Sequence, residues 1–316
     1  FPKTFYEEAI AEFTDANDGV TINYAGGGSG KGRQDLADQI VDWAGTDSTI
    51  KDEDLPGFKG GEVLYFPTVV APITVSYNLD VDGLQLSPET LAKIFQVQIT
   101  NWNDPAIAAD NPGVELPDTE IVVAHRSDGS GTTSIFTNYL SNVSPEWKEK
   151  VGAGDTVQWP TGQGGEKNPG VAAIVQQTEG AIGYVELIYA AANNLPEPAI
   201  KNAAGKYVVA SLESVSAAAD GFLANTPDDL RVNIVNPATG DNAYPISGYT
   251  WILVAKDQKD EAKAQALTDF LYWALTAGSE SAKSLNYAPL PDSVREKAIA
   301  KLGEIMVNGK PAFTMP

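Results

Sequence analysis

The chain contains no cysteine, and among its 316 residues only one histidine, His125. Without thiols no disulfide, zinc-thiolate site or iron–sulfur cluster can form, an absence compatible with any compartment. Neither histidine-rich nor EF-hand spacing occurs, so no metal and no cofactor is expected. Positive charge is scarce as well: 21 Lys and Arg face 42 Asp and Glu, a formal net charge of −21. Nucleic acid and anionic membranes would be repelled, so neither is expected as a partner. No run approaches the roughly 18 apolar residues of a membrane helix, and a hydrophobic content of 43% is that of a globular, soluble chain. No secretory leader is visible, and the abrupt Phe1-Pro2-Lys3 start is read as that of a processed or trimmed chain. A length of 316 residues fits one large domain or two of ordinary size.

What the chain does have is glycine and small hydroxyl residues at strand-to-helix junctions. Ile121-Val122-Val123-Ala124 reads as a buried strand, and Ile135, Phe136, Tyr139 and Leu140 recur at helical spacing. Between them lies His125-Arg126-Ser127-Asp128-Gly129-Ser130-Gly131-Thr132-Thr133. Small residues let several backbone N–H groups converge on one point, and the helix start adds its positive end. Arg126 supplies a planar fork that suits an oxyanion, with Asp128 two residues on to hold it still. Taken alone, the loop serves equally well as an ordinary polar turn with a surface salt bridge. Any anion site in so acidic a chain has to act locally, which screening over about 8–10 Å permits.

Lys3 to Phe13 places Phe5, Tyr6, Ala9, Ile10 and Phe13 on one helical face, with Asn17-Asp18-Gly19 to stop it. Val20, Ile22 and Tyr24 then alternate as in a strand and run into Gly26-Gly27-Gly28-Ser29-Gly30-Lys31-Gly32, after which Leu36, Ile40 and Trp43 suggest a helix. This glycine string fails as a P-loop, because Ala25 and Gly32 stand where Gly and a hydroxyl are needed. It fails as a dinucleotide fingerprint too, with Lys31 or Arg33 at the third glycine position. Asp47 follows in a predicted loop and, taken alone, reads as a cap or turn residue.

Val63 to Asn78 is a long β-rich stretch, interrupted by Pro67 and Pro72, that could cross between lobes. Ser87-Pro88 opens a helix to Phe95, Asn101 to Pro105 is a turn, and Trp159 to Gly165 is a glycine-rich loop before a helix from Gly170 to Gln177. Gly180 to Glu186 and Tyr249 to Ala255 read as strands, and Asn202 to Asn242 as connecting structure. A helix carrying Ala266, Leu267, Phe270, Leu271, Ala274 and Leu275 follows. The last helix is announced by Ser293 and Glu296 as a capping box, with Val294, Ala298, Leu302 and Ile305 inward. Strands alternating with helices predict α/β layers with mostly parallel sheets.

Enzymatic constellations are poorly represented. His125 sits beside Arg126, whose charge lowers its basicity, and neither Ser29 nor Ser130 lies in a Gly-x-Ser-x-Gly elbow. Carboxylate pairs are so numerous in an acidic chain that none singles itself out. Two glycine and hydroxyl loops remain, each opening a helix outside the carboxyl end of a strand, where open α/β sheets bind ligands.

These residues resemble the phosphate-binding proteins of bacterial high-affinity phosphate ABC transporters, the PstS family of periplasmic solute receptors. The resemblance runs through Phe1-Pro2, Asn23-Tyr24 and the glycine turn with Ser29, Phe66-Pro67-Thr68, Arg126-Ser127-Asp128-Gly129-Ser130-Gly131-Thr132, Trp159-Pro160, Gly180 to Glu186, and Leu290-Pro291. It implies an α/β, two-lobed periplasmic-binding-protein fold of type II, each lobe a mostly parallel sheet flanked by helices, with the ligand in the interlobe cleft. Residues 1–76 plus 248–316 would form lobe I and residues 77–247 lobe II. It assigns phosphate contacts to the N–H of Phe1, the hydroxyl and N–H of Ser29, the carboxylate of Asp47, the guanidinium of Arg126, and Ser130, Gly131 and Thr132, with Asp128 supporting Arg126.

The implied function is that of a receptor and not an enzyme. It would bind inorganic phosphate, with arsenate as a competitor, at the periplasmic or outer face of the cell membrane, and deliver it as a monomer to a membrane permease. An ionised Asp47 accepts hydrogen bonds only, so it would admit a protonated oxyanion and repel sulfate. One departure is that the family's Gly-Ala-Gly-Ala-Thr-type segment before Phe-Pro, whose threonine also touches the ligand, is not in this sequence; trimming is the expected reason. The alternatives are an extracytoplasmic phosphatase or phosphotransferase on the same cradle, and a surface adhesin or sensor that keeps the fold.

Overall fold

A computed structural model describes residues 1–314. The chain forms two compact units, the first made of Phe1–Val70, Leu223–Val232 and Tyr249–Pro316, the second of Ala71–Phe222 and Asn233–Gly248. The strand Val63–Tyr77 belongs to both, the chain leaving the first unit after Val70. Apart from Leu64 and the two prolines its fifteen residues are β-branched, aromatic or small, and all after Val63 are buried. Such a run without polar alternation is what a strand covered on both faces looks like. Pro67 and Pro72 each remove a backbone donor without ending the strand.

In the first unit the helix Lys3–Ala16 buries Phe5, Tyr6, Ala9, Ile10 and Phe13. Phe13 meets Phe270 edge-on at 5.3 Å, a contact from the helix Glu261–Leu275, which Asp260 caps at Lys263 N. The short strand Trp43–Thr46 pairs antiparallel with Ser247–Ala255, so that Thr46 lies opposite Trp251. Ala288 and Pro289 pair antiparallel with Val70 and Val69.

Three local expectations are corrected here. The helix begun at Ser29 ends at Ala37, because Gln39 takes a left-handed φ of 59° and turns the chain. Ile40 is therefore 69% exposed, Trp43 starts a strand, and Asp47 follows a strand end instead of a helix. Val20, Ile22 and Tyr24 do turn inward alternately, but among the described residues no strand pairs with them; Tyr24 instead stacks on Trp43 at 5.4 Å. Ser293 does not cap the last helix, which spans Asp292–Lys301 behind Pro291 with no side-chain cap. Proline has no N–H to satisfy and sits readily at this boundary, so Ser293 already lies within the first turn.

In the second unit Val122–Arg126 lies between two parallel partners, Gln163–Gly165 and Ala181–Glu186. Ala181–Glu186 then pairs antiparallel with the Ile73–Tyr77 half of the long strand. Parallel neighbours need crossover segments, and the helices Gly131–Val143 and Lys167–Gln177 lie in them. Ala124, Val171, Val175, Ala181 and Val185 form the core between helix and sheet. Glycine is required at Gly165, where a Cβ would come within 2.5 Å of the Gly170 carbonyl carbon and Val171 nitrogen.

The sheets are mixed, not mostly parallel: parallel pairing is found where crossover helices intervene, whereas the long strands 63–77 and 247–255 take antiparallel partners. Gln163–Gly165, expected as loop, is an edge strand. The stretch 202–242 contains a helix, Leu212–Asp220, whose Ser211 and Ser214 form a reciprocal cap that its small-residue composition conceals. No helix among the described residues is long and apolar enough to cross a membrane.

Candidate functional site

The second unit carries the Arg126 loop, and its local sequence dictates its shape. Val122–Arg126 ends at the arginine, and Ser130 caps the helix Gly131–Val143 by accepting from Thr133 N at 3.1 Å. The first helical bond is Ser134 N to the Ser130 carbonyl. The amides of Gly131 and Thr132 are thereby left without helix partners, as the first amides of any helix are. Ser130 N donates to the Asp155 carbonyl at 3.0 Å, so this residue's contribution is its hydroxyl. That hydroxyl already accepts from Thr133 N and keeps its own proton to donate. Thr132 Oγ1 accepts from Asn168 Nδ2 at 3.4 Å and from Arg126 Nη1 at 3.5 Å, with the same consequence.

Arg126 is only 6% exposed and is held by Asp128 through Nε at 2.7 Å and Nη2 at 2.5 Å. This bidentate grip occupies one edge of the guanidinium, and the Nη1–Nη2 edge keeps hydrogens that can meet a second oxyanion. Lys167 N also donates to Asp128 Oδ1 at 3.0 Å. Partial burial pushes the Asp128 carboxyl up, but the Arg126 guanidinium and the backbone donors more than reverse this, leaving it below the usual 3.8. The backbone of Arg126 is fixed from behind, its N–H donating to Tyr184 Oη at 3.1 Å. Burial raises the phenol pKa of Tyr184 well above its ordinary value, which keeps that hydroxyl neutral. The lone histidine is not part of the cradle: His125 stacks on Trp159 at 4.9 Å, and its Nδ1 lies 3.0 Å from the Arg126 carbonyl.

The first unit carries a second cluster around Asp47, which is 4% exposed. Because Thr46 faces Trp251 across the antiparallel pair, Asp47 falls beside Thr250, and Thr250 Oγ1 donates to Asp47 Oδ1 at 2.7 Å. Asp47 Oδ2 accepts from the Phe1 nitrogen and, at 3.3 Å, from Ser29 Oγ. Ser29 Oγ in turn accepts from Asp47 N at 3.1 Å. Ser29 opens the helix Ser29–Ala37 behind Gly28, whose φ of 90° only glycine adopts readily. Arg33, one turn on, donates to Thr46 Oγ1 at 3.2 Å and to Ser48 Oγ.

The structure thus gathers Phe1, Ser29 and Asp47 in the first unit, and Arg126, Asp128, Ser130, Gly131 and Thr132 in the second. Sequence reasoning missed Thr250, Tyr184, Asn168 and the amide of Lys167. A hydroxyl inside the otherwise apolar Tyr249 to Ala255 run was the one signal for Thr250. Among the described residues no group of three or more His, Asp or Glu side chains is placed to hold a metal ion. Chemically, the second cluster offers N–H and O–H donors and one cation to an anion. The first adds a buried carboxylate that accepts.

Comparison with known proteins gives the family of the chain. A profile of the PBP superfamily domain matches residues 1–277. The phosphate-binding protein PstS of Xylella fastidiosa is 44% identical over 87% of this chain and 76% of its own length. That of Pasteurella multocida is 40% identical over 95% of this chain and 87% of its own. A solved high-affinity periplasmic phosphate-binding protein, PfluDING with bound phosphate, is similar in fold. It superposes with a TM-score of 0.73 at 20% identity, covering 95% of this chain and 92% of that one.

Proposed function

The chain belongs to the PstS family of phosphate-binding proteins within the PBP superfamily, and from that premise we propose that it is an extracytoplasmic receptor that binds inorganic phosphate without chemical change. It would act as a monomer and hand the ion to the permease of a membrane ABC transporter. The observation that carries this reading is that the chain holds two buried clusters of different chemistry: the one in the second unit offers N–H and O–H donors and a cation, and the one in the first presents a buried carboxylate.

Phosphate near neutral pH carries four oxygens to accept and at least one proton to donate. The hydroxyl protons of Ser130 and Thr132, the amides of Gly131 and Thr132, and the Nη1–Nη2 edge of Arg126 match its oxygens. Asp47 Oδ2 matches its proton. Sulfate has no proton at this pH, and its oxygen would face a carboxylate lone pair. Arsenate shares the protonation and tetrahedral shape of phosphate and would compete. A hydrolytic role is not proposed: the one imidazole stacks on Trp159, with its Nδ1 at the Arg126 carbonyl.

The test is calorimetric titration of the intact chain and of Asp47→Asn with phosphate and with sulfate at pH 7.5. The intact chain should bind phosphate and reject sulfate. Asn offers an N–H₂ that a bare oxyanion can use, so the variant's preference should fall by about tenfold or more, corresponding to at least ~1.4 kcal/mol. Unchanged discrimination would refute the role given to Asp47.

A further inference from the structure

The first unit holds a cavity of about 540 Å³ that shares no residue with the clusters around Asp47 and Arg126. That volume is ordinary for a small-molecule pocket. Leu55, Phe58 and Leu64 give it an apolar wall, while Asp229, Arg231 and Lys301 bring charge to it.

The chain places these charges by local structure. Leu230 takes a left-handed φ of 64°, uncommon for so bulky a residue, and its carbonyl is anchored by Trp251 Nε1 at 3.0 Å. Such strain persists only where the surroundings enforce it, and it gathers at functional sites. Around this bend Arg231 folds back on Asp229, its N–H and Nε donating to the carboxylate at 3.0 and 2.8 Å. Nη1 donates to Asp52 at 3.2 Å, and Cζ lies 5.7 Å from the centre of the Tyr65 ring, which also lines the cavity. A guanidinium has five N–H groups, so donors remain after these bonds.

Lys301 closes the helix Asp292–Lys301. Its side chain is only 10% exposed, yet the carboxylate it reaches, Glu304, stands 3.4 Å away, beyond the usual range of a good hydrogen bond. Lys256, in contrast, meets Glu62 at 2.8 Å and so neutralises the other carboxylate on the cavity wall. Partial burial pushes the Asp229 carboxyl up, but Arg231 and, less strongly, Lys301 outweigh it and leave it below the usual 3.8. Both cations therefore act on the same part of the wall. A buried ammonium is costly unless it is closely paired, and Lys301 is the group here whose pairing is loose.

We propose that this cavity is a second ligand site, which takes a small carboxylate with an apolar body. The carboxylate meets Lys301 and the remaining donors of Arg231, and the body lies against Leu55, Phe58 and Leu64. One negative charge answers the one loosely paired cation. A dianion would meet Asp229 and Glu62 as well, and an inorganic ion would leave the apolar wall uncovered. A neutral apolar molecule would cover Lys301 without pairing it, at the cost of desolvating the ammonium.

The experiment is calorimetric titration of the full chain at pH 7.5 with octanoate below its micelle concentration, with 1-octanol, which keeps the tail, and with acetate, which keeps the charge. Octanoate should bind one to one at submillimolar concentration, and the other two at least about tenfold more weakly. Lys301→Met keeps an unbranched stem and removes the ammonium; it should weaken octanoate about tenfold or more and leave 1-octanol unchanged. Leu55→Trp, at a half-buried wall position, fills the cavity and should abolish octanoate uptake. Urea unfolding confirms that each variant folds, and should Lys301→Met fail to do so, Leu55→Trp decides. No saturable octanoate uptake by the intact chain, equal binding of octanoate and 1-octanol, or octanoate affinity within about threefold of the intact chain's in a folded variant would overturn the proposal. Neither variant touches the phosphate clusters, so an intact chain that takes up octanoate but no phosphate refutes the reading of those clusters and leaves this one standing.

Discussion

Replacing Arg126 by lysine keeps the charge and removes the geometry, so it isolates what the guanidinium fork contributes. In the structure Nε and Nη2 are engaged by Asp128 at 2.7 and 2.5 Å, and Nη1 reaches Thr132 at 3.5 Å. The remaining hydrogens on Nη1 and Nη2 form the edge offered to an anion. A lysine ammonium presents its three donors from one point and cannot hold Asp128 bidentately while offering a second parallel pair. Of the two charge-assisted bonds the outer edge can make, one survives at best. A hydrogen bond to a charged group contributes about 1.5–3 kcal/mol, so the dissociation constant for phosphate should rise roughly 10- to 150-fold. Folding stability should change much less, because Asp128 keeps a cationic partner. Calorimetry with phosphate, beside urea unfolding of the same preparations, separates the two effects. An Arg126→Lys variant that folds normally and binds phosphate within threefold of the intact chain would refute the role given to the fork.

Acid stability offers a second check. Asp128 has a folded-state pKa below the usual 3.8, so the stability it contributes is fully present above its unfolded value and is lost as pH falls through the folded one. The stability gap between the intact chain and Asp128→Asn, measured by urea unfolding, should be constant near neutrality and close below about pH 4. A gap that persists to pH 2 would contradict the assignment. Gly165→Ala places a methyl within 2.5 Å of Gly170 and Val171 backbone atoms. It should cost about 1–3 kcal/mol in unfolding experiments. It should also weaken phosphate binding, since the same close approach brings Lys167 N to Asp128. An alanine variant with unaltered stability would show that the strand and helix are less tightly joined than this.

The Arg126 to Thr132 segment could be read locally because its strand, its ion pair and its helix cap lie within a dozen residues, whereas Tyr184, Lys167 and Asn168, which also hold it, come from far along the chain. A β-branched strand ends at the arginine, the aspartate sits within reach, and Ser130 caps the next helix. Asp47 was placed only by family resemblance. Its meaning depends on the pairing of residues 43–46 with 251–254, and Thr250 lies 203 positions away in sequence. No local pattern encodes that register. The helix after Ser29 was overextended because Leu36, Ile40 and Trp43 satisfy helical spacing, whereas the turn at Gln39 requires a left-handed backbone that its residue type does not announce. The helix Leu212–Asp220 was missed for the opposite reason: Ala and Ser carry little apolar periodicity, and the reciprocal Ser211–Ser214 cap lacks the usual Glu or Gln. The return of Leu223–Val232 to the first unit is likewise a matter of tertiary contact, for example the Trp251 Nε1 bond to the Leu230 carbonyl at 3.0 Å.

The account's central claim is that a chain of net charge −21 nevertheless captures inorganic phosphate selectively, through fixed donors and one carboxylate. Equilibrium titration of the intact chain with phosphate, and separately with sulfate, at pH 7.5 and physiological ionic strength addresses it most directly. The account predicts saturable one-to-one uptake of phosphate at micromolar concentration or below, about −8 kcal/mol or better, and no measurable uptake of sulfate. Binding of both ions alike, or of neither, would contradict it.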